Sequence, residues 1–314
     1  MYADFKPAWW LPSPHLQTLW PAFFRQRAKL NLTHEQFELA DGDFLDLCWS
    51  QRSEGQVVLL IHGLEGSINS PYASGLFATL ESKGYRPVFM HFRGCSGRHN
   101  RLDRAYHSGD TQDIAAVVEH ITAKTGTPVF AAVGYSLGGN ALLKWLGETG
   151  VQNPLAKAVV ASIPFRLSDA VDRLDMGWSR MYRNYLLGKL QKKIIDKFSS
   201  RKSPITVDVA SLKSFWDYDE QVTAVLHGFN SAQDYYTKSS CRQYLRSIEI
   251  PTQIIHAIDD PFMFKDTAPE PAELSDSIDF QLTRRGGHVG FVCGTLPWRA
   301  RYWHEEKICQ FLKG

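Results

Sequence analysis

Five residues, Gly134-Tyr-Ser136-Leu-Gly138, constrain this chain more than any other stretch. The apolar run Val129-Phe-Ala-Ala-Val133 leads straight into them, and a helical stretch, Asn140-Ala-Leu-Leu-Lys-Trp-Leu146, follows at once. A serine between two glycines at a strand-to-helix junction is a nucleophile elbow. The turn is too tight for side chains at the glycine positions, and it pushes the hydroxyl out towards the start of the helix, where backbone N–H groups and the helix dipole converge. A chain carrying this junction must supply a strand, a sharp turn and a helix, which is the repeating unit of an α/β sheet.

The rest of the sequence has that alternation. Apolar runs predict strands at Glu35–Leu39, Phe44–Trp49, Val57–His62, Val88–Phe92, Val129–Tyr135, Ala158–Ile163, Thr252–Ile258 and Phe280–Thr283. Two of them, Val57-Val-Leu-Leu-Ile61 and Val129–Val133, are continuously apolar, as expected for strands of a parallel sheet covered by helices on both faces. Helices are predicted at Pro71–Lys83, ending at Gly84, at Asp110–Lys124, and at Pro297–Lys313. In the second, Ile114, Val117, Val118 and Ile121 recur at steps of one helix face, with Asp110 as its expected cap. From about 165 to 248 the pattern is helical and aromatic without a convincing strand, a helical insertion expected to sit as a lid over the carboxyl edge of the sheet, where open α/β sheets bind ligands. The whole reads as one domain, residues 1–314, with an arm at about 1–30 whose prolines predict an irregular segment packed on the body.

A serine hydroxyl is a weak nucleophile near neutral pH, so it needs a base to take its proton and a third group to orient that base. In folds with this elbow the chain order is Ser, then Asp or Glu, then His. His288, in Gly286-Gly287-His288, lies on a loop between the last predicted strand and the last predicted helix, which makes it the expected base. The strand before that one ends in Asp259-Asp260-Pro261; Asp260, next to the proline that starts the turn, is the expected acid, with Asp259 the alternative. An oxyanion needs preformed N–H donors, expected from Leu137, after the nucleophile, and from Leu64 in the loop His62-Gly63-Leu64-Glu65-Gly66. His62 reads as a structural hydrogen-bonding residue of that loop, and Cys95 and Cys293 as buried free thiols. His107, Asp110 and Asp113 read as a helix start rather than a metal site.

Composition narrows the field. Of 314 residues, 44% are hydrophobic, which suits a globular core and excludes disorder. Lys and Arg number 35 against 33 Asp and Glu, a net charge of +2, so there is no general electrostatic pull towards nucleic acid, and only a local basic patch is left open. Five scattered Cys with no C-x-x-C argue against a disulfide framework and a zinc site and suit a reducing, cytoplasmic setting. No signal peptide is discernible, and no apolar run approaches the ~18–20 residues that span a bilayer. One stretch carries charge in a pattern: Tyr182, Leu186, Leu190, Ile194 and Phe198 fall at four-residue steps among Arg183, Lys189, Lys192, Lys193 and Lys197. This basic amphipathic helix suits a lid with a solvated charged face, or peripheral contact with an anionic membrane surface.

The sequence resembles the YheT-like branch of the α/β-hydrolases, bacterial esterases related to eukaryotic α/β-hydrolase-domain lipases and yeast medium-chain ethyl-ester synthases. The resemblance rests on blocks in the family's order: Pro7-Ala-Trp-Trp-Leu11 with His15-Leu-Gln-Thr18, His62–Gly66, Phe92-Arg-Gly-Cys-Ser-Gly97, Tyr106-His-Ser-Gly109, Gly134–Asn140, His227-Gly-Phe229 with Asp234-Tyr-Tyr236, Asp259-Asp-Pro-Phe262 and Gly286–His288. It implies the α/β-hydrolase fold, a mostly parallel twisted sheet of about eight strands, and a triad of Ser136, Asp260 and His288 hydrolysing carboxylic esters with no metal or organic cofactor. Small or medium-chain acyl esters are the expected substrates. The same acyl-enzyme could instead pass its acyl group to an alcohol or act on acylglycerols or phospholipids, and an idle fold used as a binding module is the reading from another class.

Overall fold

The computed structural model describes residues 2–314. Eight strands form one sheet: β1 Leu32–Glu38, β2 Phe44–Ser50, β3 Val57–Ile61, β4 Arg86–Met90, β5 Ala131–Tyr135, β6 Lys157–Ala161, β7 Thr252–Ala257 and β8 Ile278–Thr283. Their order is β1-β2-β4-β3-β5-β6-β7-β8, with β2 antiparallel to both its neighbours and β3 to β8 mutually parallel. All eight predicted strands are present, with ends shifted by a few residues. The α/β-hydrolase fold expected from the sequence is the fold of the protein.

The continuous apolar runs explain the layers. Along β3, Val57, Leu59 and Ile61 enter one core cluster and Val58 and Leu60 the other, so both faces of the strand are buried. Helix α1 spans Pro14–Phe24, α2 Pro71–Ser82, α3 Gln112–Thr125 and α4 Leu137–Thr149. Ile114, Val117 and Ile121 of α3 join Leu142 and Leu146 of α4 over one face of the sheet. Leu76, Phe77 and Leu80 of α2 cover the other with Ile308 and Leu312 of the C-terminal helix. Between β6 and β7 the chain forms α5 Leu167–Leu174, α6 Arg180–Lys197, α7 Phe215–Tyr218, a π-helical turn Asp219–Thr223, α8 Ala224–His227 and α9 Ala232–Ser239, and no strand. The last helix, α10, spans Trp303–Lys313.

Four expectations need correction. The arm holds a regular helix: Ser13 Oγ accepts from Leu16 N–H and Pro14 takes the first helical position, where a missing N–H costs nothing. The last helix begins at Trp303, not Pro297, because Arg301–Tyr302 pairs as a strand with Val292–Cys293 before the helix starts. Asp110 does not cap α3; the cap is Thr111, while Asp110 binds Arg104 at 2.6 Å and Asp113 takes a two-pronged bond from Arg93 at 2.7 and 2.8 Å. Finally, the charges of α6 do not form one solvated face. Lys189 and Lys192 are exposed, but Lys193 binds Glu65, and Lys197 is buried, donating to Asn100 Oδ1 and two backbone carbonyls. No helix among the described residues is long and apolar enough to cross a membrane.

Three wholly buried imidazoles bear on stability. Burial holds His62 and His304 down to about 3 and His256 to about 4, against the usual 6.5. Neither ring nitrogen of His304, nor Nδ1 of His256, has a hydrogen-bond partner among the described residues. As pH falls through 6.5 the unfolded chain takes up protons that the folded chain refuses until far lower, so stability is full above 6.5 and lost below it. Each ring contributes a slope of about 1.4 kcal/mol per pH unit, so these three rings together take about 4–6 kcal/mol from the folded state between pH 7 and pH 5, and urea titrations should show the unfolding free energy falling across that window. A flat profile would contradict neutral burial of these rings.

Candidate active site

The parallel strands bring their carboxyl ends to one edge. Chain order steps outward in one direction from β3 to β4 and in the other to β5, so the sheet's topological switch point lies between β3 and β5, where open α/β sheets form their ligand crevice. Ser136 follows β5 and the His62–Gly66 loop follows β3, so both stand at this point.

Ser136 has φ 51° and ψ −119°, a conformation that non-glycine residues rarely adopt. The glycines around it are dictated by space. A Cβ on Gly138 would lie 2.3 Å from the His62 carbonyl oxygen, and one on Gly134 would lie 2.7 Å from Gly139 Cα. Backbone packing in both directions therefore holds the strained turn in place.

His288 reaches the elbow from the loop after β8. Its Nε2 lies 3.0 Å from Ser136 Oγ, and its Nδ1 lies 2.7 Å from Asp260 Oδ2. Asp260 is 2% exposed, and its other oxygen accepts from Phe262 N–H at 2.8 Å. With the carboxylate accepting the Nδ1 proton, Nε2 is left with a lone pair facing the hydroxyl. The Phe262 ring lies parallel on the imidazole, centroids 3.9 Å apart and planes within 3°. The sequence left Asp259 as an alternative to Asp260. Asp259 Oδ1 accepts from Gly287 N–H at 3.0 Å, one residue before the histidine, so it fastens the turn while Asp260 meets the ring. Burial pushes the Asp259 carboxyl above its usual range.

Leu137 is the first residue of α4, so its N–H has no carbonyl to meet within the helix. Leu64 N–H likewise has no backbone partner among the described residues. The Gly63 position lies against the nucleophile: a Cβ there would be 3.1 Å from Ser136 Cβ. The flanking amides are spoken for, since Gly63 N–H donates to Tyr72 Oη at 3.0 Å and Glu65 N–H to Tyr106 Oη at 2.9 Å. His62 is buried, bridging Gly63 O at 2.6 Å and Phe92 N–H at 3.0 Å, the structural role expected of it. Cys95 faces Lys193 at 3.0 Å, and burial pushes its thiol up to about 11, so it is not a ready nucleophile. Among the described residues no cluster of His, Cys, Asp or Glu could hold a metal ion.

Sequence reasoning missed a second set of contacts. Thr18 of α1 accepts His288 N–H on its Oγ1 at 2.9 Å, and Ser162 Oγ accepts Val289 N–H at 2.9 Å. Gln17, 1% exposed, accepts Val292 N–H at 2.7 Å and donates back to the Val292 carbonyl at 3.1 Å. Pro21 has no N–H to offer the Gln17 carbonyl. That carbonyl instead lies against the histidine loop, 2.4 Å from where a Gly290 Cβ would be. Helix α1 is thus a clasp on the loop that carries His288. The signals were present: Ser13-Pro14 marks a helix start, and His15-Leu-Gln-Thr18 is one of the blocks that carry the family resemblance.

A cavity of about 980 Å³, counting its open mouth, lies between this edge and the helices that follow β6. Ser136, Leu64 and Leu137 form its floor, and Leu167, Leu186 and Leu190 stand among its largely apolar walls.

A profile of the alpha/beta hydrolase fold matches residues 56–294. The chain is 41% identical to "Putative esterase YheT" of Escherichia coli (strain K12), over 99% of this chain and 93% of that one. It is 30% identical to Phospholipase ABHD3 of Mus musculus over 95% of this chain and 75% of that protein. It is 27% identical to Monoacylglycerol lipase ABHD2 of Homo sapiens over 92% and 74%. Among solved structures, an esterase from Exiguobacterium antarcticum superposes with a TM-score of 0.56 at 17% identity, covering 90% of this chain and all of that one, a likeness of fold. With strand order, elbow and relatives in agreement, the chain belongs to the α/β-hydrolase family, among its esterase-type hydrolases.

Proposed function

We propose that the protein cleaves carboxylic esters through an acyl-enzyme formed on Ser136, with His288 as base, Asp260 as its orienting acid and the Leu64 and Leu137 N–H groups as oxyanion donors. The observation that carries this reading is the alignment Ser136–His288–Asp260, at 3.0 and 2.7 Å, beneath an apolar cavity. The steps follow from the geometry. His288 Nε2 takes the hydroxyl proton as Oγ attacks the ester carbonyl, and negative charge develops on the carbonyl oxygen, where free amides await it. The imidazolium, stabilised by Asp260, then protonates the leaving alcohol; water repeats the sequence and releases the acid. The helices between β6 and β7 act as a lid whose apolar side chains favour small or medium acyl chains. A p-nitrophenyl ester series from acetate to palmitate tests the reading: turnover with a peak at short or medium chains supports it, and no turnover at any length counts against it.

The clasp gives a separate expectation. Thr18→Val keeps the shape of the side chain but removes the acceptor for His288 N–H, so kcat should fall about fivefold, the worth of one hydrogen bond, with KM little changed. Thr18→Ser should restore it. Equal kcat for Thr18→Val and wild type would show that α1 does not position the base.

A further inference from the structure

We infer that the far end of the cavity is a second recognition site, in which His107 and His227 bind an uncharged oxygen group, a carbonyl or ether, carried on the substrate's chain away from the scissile ester. This rests on the esterase reading and adds to it the kind of chain the cavity takes.

The wall formed by the π-helical turn and α8 is polar where an apolar stripe would be expected. Asp219, Thr223 and His227 recur at four-residue steps and all line the cavity, between apolar Val222 and Leu226. Asp219 is already satisfied: its oxygens accept from Thr223 Oγ1 at 2.5 Å and Tyr236 Oη at 2.6 Å. The two imidazoles are not. His107, from the loop after β4, stands edge-to-face with His227, ring centroids 4.7 Å apart. Gly109 N–H donates to His107 Nδ1 at 3.1 Å, which assigns the ring's proton to Nε2, a donor with no acceptor among the described residues. His227 takes no hydrogen bond from any of them. Phenylalanine would fill the same space without turning nitrogens towards a largely apolar cavity; these nitrogens open onto it and find no partner there among the described residues.

The surroundings select the ligand's charge. Burial, with Arg104 beside both rings, keeps them neutral, so His107 offers its Nε2–H, its Nδ1 lone pair being taken by Gly109 N–H, and His227 offers one N–H and one lone pair, neither ring a positive charge. A carboxylate would give up its hydration to enter apolar walls and find the Arg104 guanidinium already held by Asp110, and an ammonium group would find the Asp219 carboxylate already held by Thr223 and Tyr236. An ester or ether oxygen at the end of an apolar chain loses little on entry and gains the His107 N–H.

Matched substrates test this: p-nitrophenyl alkanoates from butanoate to dodecanoate, the same chains ending in a methyl ester, and the same chains ending in a free carboxylate. At the chain length that spans the cavity, the methyl-ester series should exceed the plain series about tenfold in kcat/KM, against the loss that an added polar group otherwise brings. His227→Leu, and independently His107→Gln, which keeps an acceptor for Gly109 N–H, should each erase that preference, and His227→Leu should turn it in favour of plain chains. A plain-chain preference at every length, with p-nitrophenyl butyrate still turned over, would overturn the second site and leave the esterase reading standing. A preference for the carboxylate series would overturn its neutral character. Absence of turnover on any ester would overturn both readings together.

Discussion

Ser136→Ala should lower kcat on a preferred p-nitrophenyl ester by about 10⁵-fold while the protein keeps its fold and its affinity for the ester. The reason is local. Alanine fits the strained backbone as well as serine does, removes only Oγ, and leaves Gly134 and Gly138 packed as before. What disappears is the atom 3.0 Å from His288 Nε2, and with it the covalent route. Residual rate from the oxyanion amides and binding alone should stay measurable over the uncatalysed reaction. A variant that retained a tenth of wild-type kcat would mean that Ser136 is not the nucleophile.

The two adjacent aspartates make the second large expectation, because they separate a carboxylate that meets the ring from one that does not. In Asp260→Asn the amide can donate to His288 Nδ1, which forces the ring's proton onto Nε2 and removes the lone pair that faces Ser136; kcat should fall about 10⁴-fold. Asp259→Asn keeps an oxygen able to accept from Gly287 N–H, and its loss should be no more than a few-fold. Steady-state kinetics of the two variants, with circular dichroism to confirm folding, decide the matter. Equal losses would contradict the assignment of Asp260 as the orienting acid, and a larger loss in Asp259→Asn would reverse it.

How much of this the sequence carried depends on how local each feature is. The strand, elbow and helix from Val129 to Leu146 were legible because they are contiguous in sequence, although of the two glycines only Gly134 answers to its own turn and Gly138 answers to the distant His62 carbonyl. The placement of Asp260 and His288 was legible from order alone, since each follows a recognisable strand and parallel strands bring their ends to one edge. The clasp was not: Thr18 and His288 are 270 residues apart, and no local pattern says that an amide so distant will need an acceptor. The four-residue periodicity of α6 brought out its apolar stripe, but the partners of Lys193 and Lys197 are Glu65 and Asn100, on the far side of the molecule in sequence. Periodicity shows where a lysine points, not what it meets there.

The most direct test of the account is covalent. A fluorophosphonate probe reacts with a serine only where a neighbouring base raises its nucleophilicity and amides receive the phosphoryl oxygen. Peptide mass spectrometry of the labelled protein should place one adduct, on Ser136, and His288→Ala should abolish it under the same conditions. An adduct on another serine, or none while esters are still turned over, would contradict the account.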